Sequence, residues 1–185
     1  AGGTSDINLL TLVANKATSI VVTGNDGLTM VNTGSTKVTN FDASAVAPIS
    51  STDTVTNMAV SYTSANTSAS AAVTIKGGAG DDTLQGNAGA DAISGNAGAD
   101  TITYTGGNDT LSGGAGGDTF QFTGALLAAN STASNTTTVD GGAGTDIVSI
   151  TTTGATIVDA DFNGFTTVET LTTTNGTNSI TVGAK

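Results

Sequence analysis

Aspartate recurs at every ninth position across the middle of this chain, two residues after a glycine in each copy. Position six of a nine-residue unit is Asp in five consecutive copies, namely Asp82, Asp91, Asp100, Asp109 and Asp118. Carboxylates and the backbone carbonyls of tight glycine turns are oxygen ligands, and Ca²⁺ takes about six to eight of them. The spacing therefore predicts a series of calcium sites.

The same unit also predicts a short strand. Position eight is large and apolar in all five copies, whereas positions one to six are rich in Gly, which turns sharply at low cost. Three residues such as 83–85 then form a strand whose middle side chain points inward. Two units make one coil of 18 residues, with a strand on each side. Stacked coils give parallel sheets around a narrow core of position-eight side chains, so we predict an all-β fold.

Stacking places equivalent turns about 4.8 Å apart. Asp82, Asp100 and Asp118 then follow one edge, while Asp91 and Asp109 follow the other. Neighbouring carboxylates repel by roughly 3–4 kcal/mol at an effective dielectric constant of about 20, and a cation between them reverses that sign. A sixth copy, at 141–149, contributes another Asp. The predicted metal ligands at positions two, four and six are Gly78, Gly80, Asp82, Asn87, Gly89, Asp91, Asn96, Gly98, Asp100, Gly107, Asp109, Gly114, Gly116, Asp118 and Asp146.

Composition narrows the classes of function. The net charge is −11, with four Lys and no His, Cys or Trp. Few cations remain to neutralise a phosphate backbone, so we predict no nucleic-acid partner. Without His or Cys, zinc, haem and the commonest catalytic groups are excluded, and we predict that the chain is not an enzyme. No run of 18 apolar residues occurs, so we expect no membrane insertion. The chain begins at Ala1 without a signal peptide, and we expect a fragment or a processed product.

Three segments are predicted to share one elongated body: Thr-rich rungs at 1–76, the repeats at 77–121, and a Thr-rich continuation at 122–185. In the continuation we expect a short helical turn near Gly124 to Asn130. We interpret the 19 residues from 122 to 140 as one calcium-free coil with a one-residue insertion. Strands are predicted in the flanking segments at 7–13, 20–23, 28–31, 38–41, 55–62, 73–75, 147–150, 156–158, 165–172 and 179–182.

Four other groups of polar residues receive ordinary interpretations. The sequence at 24–27 is read as a turn, and Asp159 and Asp161 as turn or cap residues. Asp81 is expected to face solvent, and Glu169 is expected to be a surface charge on a Thr-rich strand.

The repeat resembles the RTX (repeats-in-toxin) family, whose nonapeptide is G-G-x-G-x-D-x-U-x with U large and apolar. The resemblance implies a right-handed parallel β-solenoid, or β-roll, with Gly/Asp turns that bind several Ca²⁺ ions. It also implies type I secretion, with a chain that stays unfolded at low calcium and folds outside the cell. Asn87 and Asn96 replace the second Gly, and Tyr104-Thr105 replace the opening pair. We therefore expect the weakest site between the turns at 86–91 and 104–109.

The flanks resemble surface-layer proteins of the Caulobacter type, through residues 158–171 and 38–44. That resemblance implies a secreted, self-assembling structural protein at the bacterial cell surface, with lipopolysaccharide bound through other parts of the full protein. Two alternatives remain open. The first is an RTX adhesin or an ice- or glycan-binding solenoid that uses Thr arrays. The second is the RTX module of a secreted enzyme whose catalytic domain lies outside these residues. In all three cases we expect residues 77–121 to be loose without calcium.

Overall fold

A computed structural model describes residues 8–32, 34–49, 53–68, 70–130, 135–174 and 178–181. These residues are almost entirely β-structured, with one short helix and one 3₁₀ turn, Asp159–Phe162. The strands are β1 Asn8–Leu12, β2 Ser19–Gly24, β3 Leu28–Asn32, β4 Asn40–Val46, β5 Val60–Thr63, β6 Thr74–Lys76, β7 Thr83–Gln85, β8 Ala92–Ala97, β9 Thr101–Thr103, β10 Thr110–Ala115, β11 Thr119–Phe122, β12 Thr138–Ala143, β13 Ile147–Ile150, β14 Thr156–Val158, β15 Phe165–Thr166, β16 Thr170–Thr173 and β17 Ser179–Thr181. The helix, α1, is Gly124–Ala129.

Successive strands alternate between two parallel sheets. The larger sheet has the order β1-β3-β5-β7-β9-β11-β13-β16, and the smaller has the order β15-β12-β10-β8-β6-β4-β2. Each strand therefore pairs with the strand one full coil away, and every ladder is parallel. This is a β-solenoid of about seven turns, as the sequence predicts.

The core is a stack of inward-facing side chains in register. In the larger sheet Leu84 pairs with Ile102, Ile102 with Phe120, and Phe120 with Val148. All position-eight side chains of the five phased copies are buried. Toward the first coils the stack contains larger residues, and the rings of Phe41 and Tyr62 stack with centroids 3.9 Å apart. The predicted inward row is confirmed.

Most predicted strands are present, with three informative differences. Strands β8, β10 and β12 continue three residues into the glycine turns, because the first half of each turn is extended enough to pair with the next coil. The run at 55–62 is a strand only from Val60, since residues 55–58 form a turn. The run at 165–172 is two strands divided by a turn at 167–169. Residues 7 and 182 lie outside the described residues.

The interpretation of residues 122–140 as a coil with one extra residue is wrong. Leu111 pairs directly with Val139, and Phe120 with Val148, so the copy at 141–149 stacks immediately on the copy at 113–121. Each of these pairs is 28 residues apart, whereas the coils before them repeat at 18. The insertion is therefore ten residues, which leave the stack on one side and return to the same register.

The insertion carries the predicted helical turn. Thr123 caps α1 by accepting a hydrogen bond from the Leu126 amide at 3.2 Å, and Leu127 is fully buried. After the helix, the Asn130 side-chain amide donates to the carbonyls of Asp161 and Asn163 at 2.9 and 3.1 Å. These bonds attach the insertion to the last part of the chain. Within the described ranges, no helix has the length and apolar character needed to cross a bilayer.

Candidate metal centre

The position-six carboxylates form two columns along the edges of the solenoid. The first column, which precedes strands of the larger sheet, contains Asp82, Asp100, Asp118 and Asp146. The second column precedes strands of the smaller sheet and contains Asp91 and Asp109. All six side chains are buried. The two edges predicted from the nine-residue spacing are therefore present, and the copy at 141–149 joins the first of them.

One oxygen of each first-column carboxylate is used to join coils. The amide of Asp82 donates to Oδ1 of Asp100 at 2.7 Å, and the amide of Asp100 donates to Oδ1 of Asp118 at 2.8 Å. The amide of Asp118 donates in the same way to Oδ1 of Asp146 at 2.8 Å. Position six is therefore restricted to a short acceptor, because a longer or apolar side chain would leave these buried amides unpaired.

The other oxygen, Oδ2, faces a carbonyl from the next coil across the first glycine of its own turn. A Cβ placed on Gly95 would overlap Oδ2 of Asp100 and lie 2.8 Å from the carbonyl oxygen of Gly113. One coil further, a Cβ on Gly113 would overlap Oδ2 of Asp118 and lie 2.6 Å from the carbonyl oxygen of Gly141. In each case the carboxylate and carbonyl oxygens are less than about 5 Å apart, the span that two ligands of one Ca²⁺ can bridge.

Three of these Oδ2 atoms accept no hydrogen bond. They belong to Asp100, Asp118 and Asp146, and all three are buried. A buried charged oxygen without a partner is costly, and no Lys side chain lies within ion-pair distance of them among the described residues. Oxygens with this exposure and these neighbours fit a hard divalent cation, so the donor set of the first column agrees with Ca²⁺.

Turn conformation separates these three positions from the first turn of the column. In the turns at 95–100, 113–118 and 141–146, positions two and four both have positive φ, including Asn96 at 77°. In the turn at 77–82 the amide of Gly78 instead donates to Oδ2 of Asp82 at 2.6 Å. This first turn fills with a protein amide part of the space that the later turns leave to a cation.

The second column lacks the facing carbonyl. A Cβ on Gly86 would overlap Oδ2 of Asp91, which already accepts from the Asn87 amide at 2.7 Å, and no carbonyl from the next coil lies beside it. Tyr104 occupies the equivalent first position there and is buried with its hydroxyl donating to Gly107. The Thr105 hydroxyl donates to the Asn87 carbonyl. Protein hydroxyls thus occupy oxygens that turns of the first column leave free.

The second column also ends sooner than the first. Beyond Asp109, the next coil offers the Thr137 hydroxyl, at 3.3 Å from the Asp109 amide, in place of a carboxylate. The sequence singles out the site between 86–91 and 104–109 as the weakest, and these contacts give that expectation a structural reason.

Burial and mutual repulsion raise the pKa of the column carboxyls. Burial raises the pKa of Asp100 to about 7, and the neighbouring carboxylates of Asp82 and Asp118 raise it further. Burial likewise raises the pKa of Asp82 to about 6 and of Asp109 to about 7, and it raises the pKa of Asp118. These carboxyls resist ionisation unless a cation compensates the charge.

The two Asn residues that replace glycine use their side chains within the protein. Asn87 accepts from the Gly89 amide at 2.5 Å and donates to the Ala71 carbonyl at 3.0 Å. Asn96 donates to the Gly77 carbonyl at 2.7 Å and accepts from Ser94 at 3.0 Å. Their side chains bridge turns, which leaves their backbone carbonyls as the groups able to bind metal.

Two acidic residues outside the columns have local structural contacts. Asp81 is partly buried and accepts from the Ala99 amide at 2.7 Å, so it bridges coils instead of facing solvent freely. Asp161 is buried and accepts from the Val158 amide at 2.8 Å, the cap role that the sequence predicts.

Glu169 is the residue of this edge that the sequence did not reveal. Its carboxylate accepts the Asp146 amide at 2.8 Å, so it occupies the position of a fifth acid in the first column. The surface-charge interpretation captured its exposure and missed its place in the column. A signal does exist: Glu169 precedes Leu171 by two residues, as Asp146 precedes its partner Val148.

No group of three or more His, Cys, Asp or Glu side chains is close enough to share a metal ion in the described part of the chain. The column geometry explains this, because each coil supplies a single carboxylate and the remaining oxygens are backbone carbonyls. Any ion here depends on the turn conformation as much as on the acidic side chains.

Comparison with known proteins agrees with this geometry. A family model described as the RTX calcium-binding nonapeptide repeat, in four copies, matches residues 74–102 and 103–121. Residues 74–121 therefore carry RTX calcium-binding repeats, which bind Ca²⁺ and are typical of secreted proteins. Neither a curated protein nor a solved structure matches the chain.

Proposed function

We propose that this chain is a structural domain of a secreted bacterial surface-layer protein and that it folds when Ca²⁺ fills the first column. The observation that carries the proposal is the row of buried, unpartnered Oδ2 atoms on Asp100, Asp118 and Asp146. Each lies opposite a turn carbonyl of the next coil, so that one ion contacts two coils at once.

Calcium binding between coils is well suited to a structural role. The ions neutralise carboxylates that otherwise repel one another, and they connect turns through oxygens from successive coils. Asp82 and the carbonyls of Gly95, Gly113 and Gly141 complete the ligands that we assign to the first column. Such binding adds its free energy to folding, because an unfolded chain does not present these oxygens together.

Placement in a surface layer rests on the flank resemblance and on the surfaces available for assembly. Strands β1 and β2 each leave one edge without a partner strand among the described residues, and Leu9 and Val21 beside those edges are 72% and 67% exposed. Unpaired strand edges and exposed apolar side chains favour contact with a second copy. The proposal includes type I secretion and cell-surface location, attachment to lipopolysaccharide through other parts of the protein, and no catalytic activity.

Electron microscopy of the purified chain tests the assembly. We expect ordered two-dimensional sheets in millimolar calcium and dispersed particles after calcium removal. D118N, which removes a column charge while keeping an acceptor for the Asp100 amide, should require more calcium to assemble. D26N, which removes the same charge from an exposed turn, is the matched control and should assemble like the wild type. Dispersed monomers at saturating calcium would contradict the surface-layer role.

A solenoid adhesin is the second candidate, favoured by one specific observation. Thr83, Thr101 and Thr119 are register partners on the outward face of the larger sheet, so their hydroxyl groups form a row. A regular row of Thr on a flat sheet suits recognition of glycans or ice. Monomers whose melting temperature rises with an added glycan, or which shape ice crystals, would support this candidate. The third hypothesis, the module of a secreted enzyme, gains no support from these residues.

A further inference from the structure

We propose that the cation column extends one coil beyond the recognisable repeats, to a site formed by Asp146, the Thr167 carbonyl and Glu169. This inference rests on the proposed calcium binding and adds a site that lies outside the region matched by the repeat model, which ends at residue 121. The ligand is a hard divalent cation, Ca²⁺ in the first instance.

The same pair of oxygens recurs at this coil. A Cβ placed on Gly141 would overlap the carbonyl oxygen of Thr167 and lie 2.5 Å from Oδ2 of Asp146. The equivalent positions one and two coils earlier, at Gly113 and Gly95, bring together an Asp Oδ2 and the carbonyl of a Gly. Thr167 therefore supplies the carbonyl that Gly113 and Gly141 supply in the repeats.

The carboxylate on the near side of this site is unsatisfied. Asp146 is fully buried, and its Oδ2 accepts no hydrogen bond. Its Oδ1 is already used by the Asp118 amide at 2.8 Å. The free oxygen thus points to a ligand in the same way as those of Asp100 and Asp118, although the coil that follows contains no nonapeptide.

The far side of the site is a shortened turn. The ladders pair Asp140 with Thr166 and Ile147 with Thr170, so that three residues, 167–169, span what six residues span in the copy at 141–149. This short turn retains the first-position carbonyl, on Thr167, and the sixth-position carboxylate, on Glu169. The intervening glycines are absent, which is why a search for the nine-residue repeat stops before it.

Thr167 is held in the conformation that the short turn requires. Its φ is +50°, in the left-handed region that a β-branched residue rarely adopts. Its hydroxyl donates to Asp140 at 2.5 Å and accepts from the Gly142 amide at 2.8 Å. These two bonds connect the turn to the coil before it and fix the direction of the Thr167 carbonyl.

Exposure distinguishes this site from those within the column. Thr167 and Glu169 are exposed, whereas Asp100 and Asp118 are buried. Water therefore completes the coordination on the outer side, and the negative charge of Glu169 is partly screened. We expect the weakest affinity of the column here, so that this site fills last as calcium rises.

Counting calcium bound to the complete 185-residue chain tests the site. Equilibrium dialysis against radioactive calcium gives both the number of ions and the affinity of the weakest class. In E169Q the side chain still accepts the Asp146 amide but has lost its charge. We expect one ion fewer than in the wild type, or an affinity of the weakest class reduced about tenfold or more. E169D, which restores the charge on a shorter side chain, should recover part of that loss.

Controls separate this inference from the proposed function. D26N changes the net charge equally at an exposed turn and should bind as many ions as the wild type, with circular dichroism in calcium confirming that each variant folds. Wild-type calcium binding with unchanged number and affinity in E169Q would overturn the extended column alone. Failure of the wild type to bind any calcium would overturn both proposals. Should E169Q fail to fold, G141A, which fills the space between Asp146 and Thr167, takes its place with the same expected loss.

Discussion

At the scale of single residues, the first glycine of each first-column turn matters for the space it leaves. Gly95 and Gly113 each lie where a side chain would collide with a carboxylate oxygen of the same turn and a backbone carbonyl of the next coil. The glycine thus preserves the gap between two oxygen ligands, in addition to any role in turning the chain. A substitution there should affect the metal response before it affects the strands.

Gly113→Ala should therefore impair calcium binding. The added Cβ would overlap Oδ2 of Asp118 and lie 2.6 Å from the Gly141 carbonyl, which belongs to the backbone and cannot easily move. We expect the calcium concentration at half-folding to rise about tenfold or more, as measured by circular dichroism. Gly117→Ala is the matched control, since its nearest contact would be the Thr145 carbonyl at 3.2 Å. Equal calcium midpoints for the two variants would contradict the role assigned to Gly113.

The pH dependence of the calcium-free chain follows from the raised pKa values. Asp82, Asp100 and Asp109 have folded pKa values of about 6, 7 and 7, against 3.8 in the unfolded chain, so the folded state binds protons more tightly. Stability without calcium should rise as pH falls from about 7 toward 4, and it should be lost as pH rises through 6 to 7.

Thermal melts in calcium-depleted buffer at pH 5 and pH 7.5 measure this effect. We expect the higher midpoint at pH 5, together with a smaller gain from added calcium there, because protons and cations compete for the same carboxylates. A calcium-free midpoint that is higher at pH 7.5 would show that these carboxyls are not buried together as described.

At the scale of elements, the nonapeptide predicted what its own spacing encodes. Because Asp and the apolar residue keep a fixed distance, the inward row through Leu84 and Ile102 and both carboxylate columns were predictable. The difference between the columns was less so, since it depends on how Tyr104 packs in place of a glycine. Nothing in the local sequence gives the length of the ten-residue insertion, whose Ala, Ser and Thr residues have no register.

The short turn at 167–169 escaped for a related reason. It retains an acid and a carbonyl but has lost the glycines by which the repeat is recognised. Pairing with the preceding coil, through Val148 and Leu171, reveals the equivalence that the letters conceal. Backbone ligands in general leave little trace in a sequence, because any residue type carries a carbonyl.

Helix α1 is expected to stabilise the solenoid without contributing to the metal sites. Leu127 is fully buried between the insertion and the last coils, so Leu127→Ala should lower the free energy of unfolding by about 2–5 kcal/mol. Leu126→Ala, at a partly buried position of the same helix, should cost less. Urea unfolding in saturating calcium measures both values, while dialysis should give the wild-type number of ions. Loss of an ion in L127A would show that the insertion supports the column directly.

At the scale of the whole molecule, a solenoid is a linear array in which each coil contacts only its neighbours. Calcium bound between coils strengthens these neighbour contacts, so folding and binding are coupled along the stack. The flanking coils have larger core residues, such as Phe41 and Tyr62, and no acidic column. We therefore expect the flanks to depend less on calcium than residues 77–149 do.

Hydrogen exchange of the complete chain measures this difference. In calcium, backbone amides throughout the buried ladders should be protected. After calcium removal, amides of strands β7 to β11 should exchange fastest, whereas those of β3 to β5 should remain more protected. Uniform protection with and without calcium would mean that the ions contribute little to the fold.

Anomalous scattering from crystals grown in ample calcium examines the metal column itself. We expect anomalous peaks between successive turns of the first column, about 4.8 Å apart, each contacting an Asp Oδ2 and the facing carbonyl, as at Asp100 and Gly113. Ordered water without anomalous signal at those positions, in a chain that keeps the same coils, would contradict calcium as the bond between them.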